Sequence, residues 1–419
     1  MKTILLVMRK GCAVHGENIA QIKRLGINIV ALTARNDIED TSRFYTIEHI
    51  GGDVTSNEID HSIEIAKKHG VSCAVTFQET DIILCAHINE ALGVPGASVW
   101  AAKICRDKSM QRKLLSSAAI PSVKYRPVKD IEGALAAARE IGFPVIIKPT
   151  RAASSINVSL AQNEDSLKNE VESIENFMGT SKGLYFSKES DNSSSMIIEE
   201  YLPGTEVTLD GVVIDGTFFL GGIHNKKDMG GPYFEEDLYS LPFKEPEREN
   251  ELSSIAAAIC DALDVKNSMF NVELRRDANG NFRVVEFSCR LSGGRVYRNI
   301  FDVYGVDMVS AHLASLMPQL SFTPAGFMRR HTPTRATCMK LMYCDGRIIC
   351  NSPGIAKTKS GFIDYYPLAP IGAQVHSAPN GFDIAAILSV GIECEGVPDA
   401  AIAEKLALDL SKEIHLITE

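Results

Sequence analysis

Residues Met269–Gly294 read MFNVELRRDANGNFRVVEFSCRLSGG, and their reading decides the fold. Alternating apolar residues flank Asn279-Gly280, a pair suited to the two positive-φ positions of a type I′ hairpin turn. Counting outward from that turn, Ala278 faces Asn281, Arg275 faces Val284, Glu273 faces Glu286 and Asn271 faces Ser288. Side chains alternate along a strand, so Asn271, Glu273, Glu286, Ser288 and Arg290 share one face. Val272, Leu274, Val285 and Phe287 take the other, the core face. Two directly opposed carboxylates, with Cβ atoms roughly 5 Å apart, repel each other. A sheet holds them there when a cation lies between them. All-oxygen ligation suits Mg²⁺, which takes one or two carboxylates plus substrate phosphates. The bland alternative is an exposed hairpin edge with scattered charge.

The rest of the chain sets the frame for this hairpin. Its 419 residues suggest two to four domains, and 45% hydrophobic with 23% charged residues is ordinary for a soluble protein. A net charge of −10 supplies no global basic field for nucleic acid. The ten cysteines are dispersed, without CxxC or a His/Cys cluster at zinc spacing. The apolar start MKTILLVMRKG is too short for a membrane span and lacks a small-residue cleavage site. It reads as a first β-strand. The expectation is a reduced, soluble, cytoplasmic protein with no membrane or nucleic-acid partner.

Strands at Ile4–Met8, Asn28–Thr33 and Cys73–Phe77 alternate with helices at Glu17–Leu25, Asn57–His69 and Thr80–Leu92. That alternation predicts a parallel sheet covered by helices. The loop Gly11–Gly16 is neither GxGxxG nor a P-loop, although it could line a ligand site at the strand ends. One helix is expected over Trp100–Ala118, carrying Asp107-Lys108. The apolar strand Pro144–Lys148 runs into KPTRAASSINVS (Lys148–Ser159). Small residues and two hydroxyls after a strand-borne lysine suit a loop closing over phosphates through its backbone N–H groups. Gly179–Ser195 and Asp228–Pro242 read as long loops, the second with glycines that permit movement. Met196–Lys226 reads as strands with a hairpin turn at Asp215-Gly216, and Asp345-Gly346 reads as another hairpin turn. From about Phe327 the texture is that of a small α+β unit ending in helix Ala400–Ile414.

Taken together, these pieces resemble the ATP-grasp superfamily of carboxylate–amine ligases. The resemblance covers roughly Trp100–Pro318 and rests on several motifs in one order. RDKSMQRKLL (Arg106–Leu115) is similar to the family's DK helix, which implies that Lys108 reaches the ATP phosphates. VIIKPTRAASSINVS is similar to the second lysine and phosphate loop of D-alanine–D-alanine ligases. This implies Lys148 at the α-phosphate and adenine side, with Ser154 and Ser155 over the β,γ-phosphates. IIEEYLPGTE resembles the adenine hinge. It implies backbone groups near Glu200, Tyr201 and Leu202 at the adenine edge, Glu199 at its amino group and Glu206 at the ribose hydroxyls. NVELRRDANGNFRVVEFSCR resembles the metal hairpin, implying Glu273, Glu286 and Ser288 as ligands of Mg²⁺ or Mn²⁺. Ser288 stands where the family usually has Asn, and its single oxygen on a shorter arm implies a weaker second metal. Arg290 keeps the family's arginine, with Lys108 and Lys148 the other catalytic candidates. The RLSGG after the metal strand, including Gly293 and Gly294, resembles the L-amino-acid ligase, dipeptide-forming branch, with the purine-biosynthetic carboxylases next.

The resemblance implies an α/β and α+β chain. Residues 1–98 would form an N-terminal Rossmann-like, pre-ATP-grasp domain. The ATP-grasp domain would span 99–320, with a lid subdomain at about 120–197, and a small α+β domain would span 321–419. It also implies an ADP-forming ligase that activates a carboxylate, such as that of an amino acid, as an acyl-phosphate and joins it to an amine. Its partners would be small-molecule carboxylate and amine substrates, in a homodimer. His224 and Lys226 are further substrate candidates, with Arg290, Gly293 and Gly294. Two alternatives stay open. The acceptor could be bicarbonate or the thiol of a carrier protein or coenzyme A, or the chain could bind nucleotide without catalysis.

Overall fold

The computed structural model describes residues 2–11, 15–38, 40–152, 155–180, 183, 195–226, 233–234, 237–317, 320, 332–378, 381, 383–394 and 396–419. Strands β1 (Thr3–Val7), β2 (Asn28–Thr33), β3 (Thr46–His49) and β4 (Ala74–Thr76) form an all-parallel sheet in the order β3-β2-β1-β4. Ile4 and Leu6 pack with Ile19 and Ile22 of helix Gly16–Arg24 on one face. Leu5 and Val7 pack with Ile65 of helix Ser56–Lys68 and Leu84 and Ile88 of helix Ile82–Leu92 on the other. Burial on both faces explains the uninterrupted apolar run of β1. Strand β3 escapes the sequence reading because TIEH lies at the sheet edge and is largely unburied, so it needs no apolar pattern.

The single helix expected over Trp100–Ala118 is two helices, Val99–Cys105 and Lys108–Ser117. Asp107 breaks it. Its carboxylate accepts the N–H groups of Ser109 (2.9 Å) and Met110 (3.2 Å), and Gln111 donates to the Cys105 carbonyl at 2.7 Å. Such a cap is worth about 1 kcal/mol. It places Lys108 at the first position of the second helix.

Strands β5 (Tyr125–Val128), β6 (Val145–Pro149), β7 (Ser159–Ala161) and β8 (Met196–Glu200) form an antiparallel sheet in the order β5-β8-β6-β7. Helices Ile131–Ile141 and Glu164–Met178 pack against it through Ala134, Ala138, Leu167 and Val171. The largest sheet joins β9 (Glu206–Ile214), β10 (Thr217–Lys226), β11 (Leu238–Leu241), β12 (Ser268–Arg276) and β13 (Phe282–Ser288) to β14 (Arg335–Met342), β16 (Phe362–Pro367) and β18 (Ala386–Glu393). Its order is β13-β12-β9-β10-β11-β14-β18-β16, so strands after residue 334 extend the sheet that carries the hairpin. Helix Glu249–Ala262 covers one face through Leu252, Ala256 and Ile259.

One expected loop and one expected turn differ in the structure. Part of the expected loop Asp228–Pro242 is strand β11, which pairs with β10 and β14; residues 227–232 and 235–236 lie outside the described residues. Asp345-Gly346 does not close a hairpin. The following strand β15 (Gly346–Ser352) leaves β14 and pairs with β17 (Gln374–Val375) and β19 (His415–Thr418) in a separate sheet. No helix among the described residues is long and apolar enough to cross a membrane.

The central hairpin keeps part of its expected register. Glu273 pairs with Glu286 and Asn271 with Ser288. Beyond that point Leu274 pairs with Val284 and Arg275 with Arg283, so Val285 is an extra, bulged residue. Val284, expected opposite Arg275, is fully buried, and Val285, expected in the core, lines a cleft. The bulge has two external anchors. Val284 N–H donates to the Pro121 carbonyl at 3.0 Å, and the Val285 carbonyl accepts from Arg112 at 2.5 Å. The turn also differs. Asp215 and Gly216 both have positive φ, as a type I′ turn requires, whereas at Asn279-Gly280 only Gly280 does. There the Asp277 carboxylate accepts the N–H groups of Asn279 and Asn281, each at 2.9 Å, and closes a longer loop.

Candidate active site

An open cleft of ≈ 1190 Å³ is lined from β6, β8, β9, β12 and β13. Lys108, Lys148, Ser155, Glu199, Glu200, Tyr201, Leu202, Glu206, Glu273, Glu286, Ser288, Arg290 and Gly293 all line it. Of the other expected residues, His224, Lys226 and Gly294 are not among its lining, and Ser154 lies outside the described residues.

One wall is a chain of charges, buried except for the partly exposed Glu286. Lys108 Nζ lies 3.0 Å from Glu286 Oε1 and 3.4 Å from the Ala152 carbonyl. Lys148 Nζ lies 2.8 Å from Glu199 Oε2. Arg112 holds the same carboxylate in a fork, Nε to Oε1 at 2.8 Å and Nη2 to Oε2 at 3.2 Å. Burial works against the charge of Glu199, but Arg112 and Lys148 outweigh it and hold the carboxyl below its ordinary range. Burial, then Arg112 and Lys108, push Lys148 below the usual lysine value. Both Glu199 oxygens are therefore engaged by protein cations, which leaves less of them for an adenine amino group. The sequence reading missed Arg112, although its i,i+4 spacing from Lys108 puts both on one helix face.

The opposed carboxylates each meet a lysine. Lys108 lies beside Glu286, and Lys226 Nζ lies 3.8 Å from Glu273 Oε2. These cations offset the repulsion that the sequence assigned to a metal alone. Among the described residues no group of three or more His, Cys, Asp or Glu could hold a metal ion. Two carboxylates at an open cleft fit Mg²⁺, which completes its shell with water and phosphate oxygens. They do not make the closed four-ligand cage of structural zinc.

Ser288 and Arg290 converge on a residue the sequence reading passed over. Ser288 Oγ donates to Glu79 Oε2 at 2.9 Å, and Arg290 Nε donates to the same oxygen. Arg106 lies 3.6 Å from the other oxygen. Burial opposes the Glu79 charge, but Arg290 and Arg106 outweigh it and lower its pKa. Glu79 follows β4, at the carboxyl end of a parallel strand, where such folds place ligand-facing groups. That position was the signal available in the sequence. Nearby His15 is pushed down to about 4, by burial and then by Arg290, and is neutral near pH 7.

At the opposite end, Glu206 is ion-paired with Lys226 and lies 3.5 Å from Arg275, whose Nε donates to the Leu202 carbonyl at 2.7 Å. His224 does not reach the cleft. It is fully buried, neither ring nitrogen has a hydrogen-bond partner among the described residues, and burial pushes its pKa to about 3. It stands edge-on to Tyr239, with centroids 6.2 Å apart. His224, expected as a substrate candidate, is buried and is not among the residues that line the cleft.

Residues 141–298, which carry Lys148, the Glu199–Glu206 stretch and the whole hairpin, match a family model described as the ATP-grasp domain. The chain carries an ATP-grasp domain. Alanine–anticapsin ligase of Bacillus subtilis (strain 168) is 28% identical over 263 residues, 60% of this chain and 55% of that protein. D-Alanine–D-alanine ligase of Pseudomonas entomophila (strain L48) is 25% identical over 205 residues, 47% of this chain and 59% of that protein. The ATP-grasp chain thus spans a little over half the length of these relatives. In fold it is similar to the crystal structure of L-amino acid ligase from Bacillus licheniformis, with a TM-score of 0.82 and 16% identity. That likeness covers 100% of this chain and 99% of the other. Lys108, Arg112 and Glu79 fall outside the matched ATP-grasp segment and join the site through tertiary structure.

Proposed function

We propose that the chain is an ATP-dependent, ADP-forming ligase that joins a small carboxylate, such as that of an amino acid, to an amine. The observation that carries this reading is the single cleft shared by Lys108, Lys148, Glu206, Glu273, Glu286 and Arg290. In the proposed reaction a carboxylate oxygen attacks the γ-phosphorus, and ADP leaves. The amine nitrogen then attacks the acyl carbon, phosphate leaves and a proton is released. Lys108 and Lys148 offset phosphate charge, since phosphoryl transfer depends mostly on positioning and electrostatics. Arg290 faces the transferring phosphoryl group and then the tetrahedral oxyanion. Glu273 and Glu286, with Ser288, would hold Mg²⁺ or, in its place, Mn²⁺. When bound, the metal offsets charge on the phosphate oxygens. Tyr201, Leu202 and the Glu200 backbone would meet the adenine and Glu206 the ribose, with Ser155 and Gly293 at the phosphate and substrate ends.

A matrix of amino acids and small amines with ATP tests this reading, scored by nucleotide product, phosphate release and product mass. ADP, with phosphate stoichiometric to an amide, is expected. With ATP and carboxylate but no amine, hydroxylamine should trap a hydroxamate. AMP as the product would defeat the reading. ADP with a thioester or a carboxylated product would move the acceptor to a thiol or bicarbonate. Sedimentation at two concentrations tests the proposed homodimer.

A further inference from the structure

Arg112, Glu199 and Lys148 place two cations on one buried carboxylate. Only two of the three, Glu199 and Lys148, line the cleft; Arg112 is fully buried behind them. Besides its fork on Glu199, Arg112 donates to the carbonyl of the bulged Val285, next to Glu286. The triplet carries one surplus positive charge, and Lys148 is the cation that presents it to the cleft. Without Arg112, Lys148 and Glu199 would form a closed neutral pair at 2.8 Å. In a desolvated site such a pair is strongly attracted, and the lysine charge would be cancelled before any phosphate arrived.

We propose that Arg112 is a positioning residue that neutralises Glu199 from behind and so leaves the charge of Lys148 free for the phosphates of a nucleoside di- or triphosphate. This rests on the nucleotide site proposed above. Glu199 then serves as the anion that orients two cations, rather than as a reader of the adenine amino group. A lysine at position 112 would keep the charge but lose the planar fork, so it replaces only part of the arrangement.

Calorimetric titration with ATP, ADP, AMP and adenosine in Mg²⁺ tests this on the full chain, with melting curves to verify folding. Arg112→Met should weaken ATP and ADP binding about tenfold or more while adenosine changes by less than about twofold, the pattern of a lost charge at the phosphate end. Arg112→Lys should fall between Arg112→Met and wild type. The double variant Arg112→Met/Glu199→Gln should recover most of the loss, because Lys148 again carries one uncancelled charge. A packing role would not predict that rescue. Equal losses for ATP and adenosine, or no recovery in the double variant, would overturn the proposal. Wild-type-like ATP binding by Arg112→Met would overturn it alone, whereas a wild type that binds none of the four ligands would remove the nucleotide site itself. Should Arg112→Met fail to fold, Arg112→Lys and the double variant carry the comparison.

Discussion

Ser288 donates its hydroxyl to Glu79, 2.9 Å away across 209 residues of sequence. The contact ties β13, the strand that bears Glu286, to the segment that follows β4 of the N-terminal parallel sheet. Glu79 also receives Arg290 and faces Arg106, so it fixes the proposed oxyanion donor in place. Glu79→Gln keeps the shape and removes the charge. Turnover should fall about tenfold or more, short of the roughly hundredfold loss from removing an oxyanion donor outright, because Arg290 is misplaced rather than absent.

The same residue gives a pH signature. The folded-state pKa of Glu79 is lowered, so its contribution to stability is present above the ordinary glutamate value and is lost as pH falls through the folded value. In urea unfolding, the stability advantage of wild type over Glu79→Gln should therefore shrink as pH is lowered from 7 into the acid range. A constant difference would mean that Glu79 is not a paired anion.

Asp210 should show the opposite sign. Its carboxyl is raised to about 6, mainly by burial, although Ser292 donates both its N–H (2.7 Å) and its hydroxyl (2.9 Å) to it. A raised folded pKa contributes stability below the unfolded value that is lost as pH rises through the folded one. Asp210→Asn should gain on wild type between about pH 4 and 7, by at most about 3 kcal/mol, the scale of a two-unit shift. Unfolding at several pH values measures it.

Glu286→Gln should abolish turnover by several orders of magnitude with the fold intact, because a hard anionic ligand is lost from the proposed Mg²⁺ site. Relief of repulsion from Glu273 would make the variant more stable, but the Lys108 partner is lost as well. With Glu286 partly exposed, metal-free stability should stay within about 1 kcal/mol of wild type. Wild-type-like activity would remove the hairpin from the site.

Ser288→Asn supplies a longer oxygen ligand while its amide can still donate to Glu79. Half-saturation with Mg²⁺ should move to a lower concentration. A shift to higher Mg²⁺ would place Ser288 in the service of Glu79 alone.

The sequence by itself determined most of the N-terminal strands and helices and one decisive pairing. Counting from the Asn279-Gly280 turn set Glu273 opposite Glu286, a pairing that the Val285 bulge restores across the longer turn, and alternating strands and helices implied the parallel sheet. These features are local, because they depend on side-chain period and turn chemistry over a few residues. Tertiary structure decided what depends on neighbours distant in the chain. The bulge at Val285 is anchored by Pro121 and Arg112, so counting from Asn279-Gly280 misplaced Val284 and Val285. The helix break at Asp107 needed its cap geometry, and the burial of His224 within β10 needed the assembled sheet and the side chains packed on it. Glu79 lies in no motif, and Arg106 and Arg112 lie in the RDKSMQRKLL stretch where only Lys108 was given a role. They matter because folding brings buried charges within a few ångströms, where each carboxylate must find its cation.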